Sequence, residues 1–364
     1  MKIKFPLTLY CMLVLCLFGC SIDIAQPIPV SEVGTAAPTN AAPSVMTTTV
    51  PITWANLNLT GRLLYTSSVL NGNVSSMSIQ TLDLATGEVN KIFTTTGDAW
   101  VFYMTVSPDS KQLVMSYIPP SDGSSSPSRA LYIMPLEGTI PPQPLFSLPV
   151  SGDHYLHAEW SPDGQYIYYV HYTNTDQPYP VYEIFRMRYA GGQPEKIADN
   201  AFWPRISSDS TKLVYVSIDP VSGSNELFLA NADGSNPQKV ILSGTWMPGV
   251  MDAPIFSPDG ASILFSAPPP PQAYQPNWFE KIMGIQIAKA HAVPSDWWSV
   301  PVTGGALTRL TQIQTINLFG SISPDQKYIA SVSGEGLFVM DLNGSILTRL
   351  LFDPGVSGTV SWMP

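Results

Sequence analysis

A chain of 364 residues that is 45% hydrophobic and 12% charged holds enough apolar material for a substantial core, arranged as one large unit or as two domains. Its formal charge of -10, with no cluster of Lys or Arg, excludes the phosphate contacts on which nucleic-acid binding depends. All three cysteines, Cys11, Cys16 and Cys20, lie at the front of the chain, so the body behind them is expected to be held by packing rather than by disulfides.

Residues 1–20 place Lys2 and Lys4 ahead of an apolar run from Leu7 to Phe18, a layout of a secretory signal and short for a membrane-spanning helix. The run ends in Leu17-Phe18-Gly19-Cys20, which resembles a bacterial lipobox. That resemblance implies cleavage before Cys20, lipid on its thiol, and a membrane partner reached through the lipid. An ordinary signal peptide or an uncleaved anchor is the plainer alternative. Residues 21–57 follow, rich in Pro, Ala, Thr and Val with almost no charge and no sustained period, and they read as a disordered tether.

From residue 58 one cassette recurs. Trp160-Ser161-Pro162-Asp163-Gly164 leads into the aromatic and β-branched run Tyr166 to Val170, and equivalents span Val106 to Met115, Ile206 to Val216, Phe256 to Ser266 and Ile322 to Val332. Pro presets φ in a tight turn, Ser and Asp bond back to nearby amides, and the run behind has strand composition, so each cassette predicts a hairpin. The cassette aspartates, Asp109, Asp163, Asp209, Asp259 and Asp325, are 54, 46, 50 and 66 residues apart, the spacing of four-stranded propeller blades.

Between cassettes lie six Gly turns, at Gly87, Gly138, Gly191, Gly234, Gly304 and Gly344. The sixth blade is predicted to be shared by the chain ends, with Thr359 to Trp362 preceding Gly61 to Thr66, which closes a ring and hides the sheet edges. The expected fold class is therefore all-β: a six-bladed β-propeller over residues 58–364, closed by N- and C-terminal strands in one blade. These cassettes resemble the repeats of TolB-type propellers and of the propeller domains of prolyl-oligopeptidase-like enzymes. The resemblance speaks for the fold, since such propellers host unrelated tasks. It implies an envelope scaffold, although the α/β domain that precedes the propeller in TolB is not expected here.

In a four-stranded meander the cassette turns and Gly turns share one end, predicted to be bland. The long connections, 119–129, 173–180, 219–225 and 268–295, share the other, where variable loops on a rigid support usually carry binding. Counting back four residues from each cassette Ser places Tyr103, His157, Trp203, Ala253, Phe319 and Ser357 around the channel mouth on that loop face, with Asp252 one residue before Ala253. Glu159 and Arg205, on neighbouring blades, are placed to pair. Inter-blade packing is the bland explanation of this set; the sharper one is an aromatic funnel that takes a peptide end or a small ligand.

The segment 268–295 in the fifth blade opens on four prolines, and Asn277 to Ala292 is predicted to be a helix capped by Asn277. Its apolar face carries Trp278, Phe279, Ile282 and Met283, expected either to fold down as a lid or to meet a partner. No Gly-x-Ser-x-Gly elbow, Walker loop, dinucleotide fingerprint, Cys-x-x-Cys or calcium loop occurs. His154 and His157, three apart on a strand, point to opposite faces and make poor joint metal ligands. The expectation is a non-enzymatic, exported, membrane-anchored propeller without metal or cofactor that binds an envelope protein or peptide. The alternative is a small-ligand or enzymatic propeller using the channel mouth.

Overall fold

A computed structural model describes residues 47–71, 74–121, 128–150, 152–173, 180–219, 224–270, 293–316 and 318–364. The leader with Cys20, the centres of the long loops, and the predicted helix with Trp278, Phe279, Ile282 and Met283 lie outside these residues. Among the described residues there is one 3-10 turn, Ala55–Leu57, and no α-helix. None of their helices is long and apolar enough to cross a membrane.

Six antiparallel sheets make the blades of a propeller. The innermost strands of blades 2 to 6 are Trp100–Val106, His154–Trp160, Ala201–Ile206, Asp252–Phe256 and Phe319–Ile322. In blade 1 the innermost strand is the last of the chain, Val356–Met363, paired with Arg62–Asn71 in a register that sets Arg62 opposite Met363. Each innermost strand touches the next around the axis, and Val356–Met363 touches both Phe319–Ile322 and Trp100–Val106.

Second strands are buried on both faces because a neighbouring blade covers each side. Leu113 to Met115, Ile167 to Val170, Leu213 to Val216 and Ile263 to Phe265 are all inaccessible. That is why these segments read as continuous apolar runs rather than as alternating ones.

The cassette turn is built the same way five times. The Ser hydroxyl donates to the Asp Oδ1 at 2.5–2.7 Å, and it accepts the amide five residues on at 2.9 Å. The same carboxylate accepts the amide two residues beyond it at 2.9–3.3 Å. These bonds, the Ser hydroxyl first, hold the carboxyls of Asp109, Asp209, Asp259 and Asp325 below the usual range. The fourth turn residue is left-handed in every copy, at Ser110, Gly164, Ser210, Gly260 and Gln326. Where it is not Gly it is strained, so Ser110→Gly is expected to raise stability by about 0.5 kcal/mol, the relief of the left-handed penalty exceeding the added freedom of the unfolded chain. A urea melt checks it, and a loss of stability contradicts it.

The Gly turns serve a different end. A Cβ at Gly138 would lie 2.4 Å from the carbonyl oxygen of Ile92, and one at Gly234 would lie 2.9 Å from that of Ile197, each in the outer strand of the preceding blade. Only hydrogen leaves room for the blades to nest.

The body begins earlier than the sequence suggests. Thr47–Thr49 pairs with Glu88–Thr94 as a fifth, outer strand of blade 1, and Trp54 is buried with its Nε1 donating to the carbonyl of Leu84 at 2.8 Å. The expected tether, 21–57, is corrected accordingly: its last part, from Thr47, belongs to the folded unit. The physical reason is local. At Gly87 the space that the previous blade fills elsewhere is taken by Val50, whose carbonyl oxygen would lie 2.5 Å from a Cβ there.

Candidate binding sites on the two faces of the ring

Register breaks at one level of the ring. In blades 2, 3, 4 and 5 the innermost strand carries one extra residue against its partner, between Val101 and Met104, Leu156 and Glu159, Phe202 and Arg205, and Asp252 and Ile255. In blade 1 the bulge is larger, between Ser357 and Ser361. Bulges re-aim side chains, and here His157 (φ 48°), Trp203 (φ 57°) and Ala253 (φ 49°) are left-handed. Pro204 and Pro254 follow two of them, at positions where a bulged strand has no ladder bond to lose.

The re-aimed side chains meet one another. Trp203 stacks on His157 with ring centroids 3.7 Å apart and planes 9° apart, while Tyr103 meets His157 edge-on at 4.2 Å and Trp203 at 5.1 Å. Phe319 completes the group, 4.9 Å from Trp203 and 6.1 Å from Tyr103. Trp203 is only 4% exposed, and its Nε1 donates to Asp252 Oδ1 at 3.2 Å. The expected open funnel is thus corrected to an aromatic plug, because bulges at one height turn Tyr103, His157 and Trp203 toward one another and toward Phe319 of blade 6, whose strand is regular. Burial pushes the Tyr103 phenol up to about 12, with Arg129 opposing and Asp252 and Tyr182 adding to the rise.

In blade 1 the predicted position slips. Trp362 pairs with Leu63 as Trp160 pairs with Ile167, so the equivalent of Trp203 is Thr359, not Ser357. Thr359 is buried, and its hydroxyl both accepts the amide of Met104 and donates to the Met104 carbonyl, each at 2.8 Å, stitching blade 1 to blade 2.

One layer further toward the turns, Glu159 and Arg205 pair across blades 3 and 4, with Arg205 donating to Glu159 Oε2 at 2.5 Å. Both side chains are 17% exposed. They do not face the loop-side mouth. They line an axial cavity of about 380 Å³ at the other end of the ring, together with Ile206, Ile255, Phe256 and the turn prolines Pro162, Pro258 and Pro324. The turn face, expected to be bland, therefore carries a cavity, since blades 4 to 6 offer nothing longer than Arg205 at this level while blades 2, 3, 4 and 6 fill the level above. Burial raises the Glu159 carboxyl above the usual range, with Arg205 opposing.

On the loop face the sequence reading missed Arg129, which precedes the third strand of blade 2, Ala130–Pro135. Its guanidinium lies 3.5 Å over the Phe102 ring, its Nε is buried without a hydrogen-bond partner, and its backbone amide donates to His154 Nδ1 at 3.0 Å. No carboxylate pairs with it among the described residues, whereas Arg186, Arg205 and Arg309 all have one. Around it stand His154 stacked on Tyr172, Tyr172 against Tyr182, and Tyr182 against Phe202. Burial and then Arg129 lower the His154 pKa, Asp153 opposing, and His171 bonds Asp153 at 2.9 Å. The scarcity of basic residues was the one available signal: an arginine closing a long loop in so acidic a chain calls for a reason.

No group of three or more His, Cys, Asp or Glu among the described residues is placed to hold a metal ion. Asp296, fully buried, is satisfied instead by Arg309 at 2.6 Å, the Thr311 hydroxyl and the Gln314 amide, which ties down the strand that follows the insertion.

No protein-family model matches the chain, and no curated protein is similar to it. Its fold is nonetheless shared with solved structures: the chain is a six-bladed propeller similar in fold to TolB structures. It is similar to TolB from Acinetobacter baumannii (TM-score 0.57, 16% identity, covering 83% of this chain and 66% of that one). It is also similar to a putative TolB from Agrobacterium tumefaciens (TM-score 0.54, 19% identity, 83% and 99%). A chain of a nidogen/laminin complex shares the fold at TM-score 0.56 and 11% identity, over 82% of this chain and 97% of that one. The chain therefore spans less than two thirds of the length of the Acinetobacter protein.

Proposed function

We propose that this chain is an exported, non-enzymatic propeller, anchored through lipid on Cys20, that binds an envelope protein or peptide on its loop face. The observation that carries the reading is Arg129: a cation held on an aromatic ring, with a buried donor unmet and no carboxylate paired with it among the described residues, within a belt of tyrosines and histidines. Desolvated cations of this kind are complemented by a carboxylate or a carbonyl from outside, and Arg and Tyr are the residues on which binding energy concentrates. The lipobox-like Leu17-Phe18-Gly19-Cys20 supports the anchor, and the nidogen/laminin complex is a precedent for this fold within a protein assembly.

Photo-crosslinking in intact cells tests the reading. A crosslinking residue at Trp100 or Tyr172, on the loop face, is expected to trap a partner, and one at Gln165, on the turn face, is not. Arg129→Ala is expected to weaken the loop-face adduct by about tenfold or more, the effect of losing a charge-assisted anchor. Adducts from Gln165 alone, or none that respond to Arg129→Ala, contradict it.

A further inference from the structure

We propose that the axial cavity on the turn face binds a free apolar α-amino acid, its carboxylate on Arg205 and its ammonium on Glu159. This site is separate from the loop-face reading and does not rest on it. The guanidinium of Arg205 carries five N–H donors, and among the described residues one of them is used, by Glu159 Oε2. Glu159 Oε1 likewise has no hydrogen bond among the described residues. Both groups border the cavity, so each presents unused valence to whatever enters.

Charge decides the class of ligand. The pair is the only ionised couple on its level, whose other members are Thr105, Ile255, Ser321 and Ser361. A simple anion would satisfy Arg205 and be repelled by Glu159, and a simple cation would meet the reverse. A zwitterion complements both, because its two charges lie as close together as theirs do. The planar fork of arginine accepts a carboxylate through two parallel bonds, and the second carboxylate oxygen of Glu159 is an acceptor for an ammonium. Apolar walls made by Ile206, Ile255, Phe256 and Ile322 face the same space and suit an aliphatic side chain. The volume of about 380 Å³ accommodates one amino acid rather than a chain. The plug of Tyr103, His157, Trp203 and Phe319 stands nearer the loop face than Glu159 and Arg205, two residues earlier along each strand.

Calorimetric titration of the whole body, residues 45–364, with L-leucine, N-acetyl-L-leucine and L-leucinamide tests this. Leucine is expected to bind saturably, and each blocked analogue about tenfold or more weaker, since each lacks one charge-assisted contact. In Glu159→Gln the preference for leucine over N-acetyl-leucine is expected to vanish while that over leucinamide persists; in Arg205→Gln the pattern reverses. The three-ligand comparison on the unaltered protein is decisive even if a substitution prevents folding. No saturable leucine binding, or three ligands that bind alike, overturns the proposal, as does a preference that neither substitution changes.

Discussion

Removal of residues 356–364 is expected to leave a chain that does not fold cooperatively, whereas removal of everything up to residue 50 is expected to cost only about 1–2 kcal/mol. The contrast follows from position. Val356–Met363 is the innermost strand of blade 1, and its Val356, Val360, Trp362 and Met363 are all buried. Their loss alone subtracts about 2 kcal/mol each in apolar burial, comparable in sum to the whole stability of a typical domain. It also cuts two ties to other blades, Thr359 to Met104 and the Trp362 amide to the Ser321 hydroxyl at 3.0 Å, and one within blade 1, the Trp362 Nε1 to the Thr60 carbonyl at 2.9 Å. Arg62–Asn71 would then present an open edge on the axis, a template for aggregation. Thr47–Thr49, by contrast, is exposed along its length and pairs only with an outer strand. Circular dichroism and calorimetric melts of the two truncations check this. A cooperative melt from the C-terminal truncation would show that the ring does not depend on its closing strand.

What was legible in the sequence is what short-range chemistry dictates. The Ser-x-Asp turn closes on itself within six residues, so its repetition announced the hairpins, and even Ser207-Ser208-Asp209-Ser210, without Pro or Gly, keeps every one of its bonds. The convergence of side chains was not legible, because it depends on bulges. A single extra residue turns the strand over, and neither Leu156 to Glu159 nor Phe202 to Arg205 declares one. The slip from Thr359 to Ser357 has the same origin: the last strand ends in Met363-Pro364 with no Ser-Pro-Asp turn from which to count, and it holds a larger bulge than the others. Thr47–Thr49 escaped because three threonines in a polar, proline-rich context show no alternation. Trp54, the large apolar residue of that region, was the clue to where the fold begins. Glu159 and Arg205 were placed on adjacent blades correctly by spacing alone, but their height along the axis, and hence the face they serve, required the level of the plug.

Trp203 holds that plug together, and its replacement is the most informative single change in the molecule. Trp203→Ala is expected to destabilise the fold by about 3–5 kcal/mol, the range for deleting a buried tryptophan, since the ring touches His157, Tyr103 and Phe319 and leaves a cavity that rigid strands cannot collapse into. Its backbone makes the prediction sharper. At φ 57° a bulky residue is strained, and the strain is retained only because the stack and the bond to Asp252 over-determine the site. Glycine adopts that conformation freely, so Trp203→Gly is expected to be at least as stable as Trp203→Ala, the reverse of the usual order in a strand. The vacated space should accept indole, whose ring can restore the stack on His157 and whose N–H can restore the bond to Asp252, and added indole is expected to raise the melting temperature of Trp203→Gly while leaving the unaltered protein unchanged. Thermal melts of both variants with and without indole decide the matter. If alanine is clearly the more stable of the two, the left-handed backbone at 203 is not what sets the cost, and if indole has no effect, the rings do not enclose a tryptophan-shaped space.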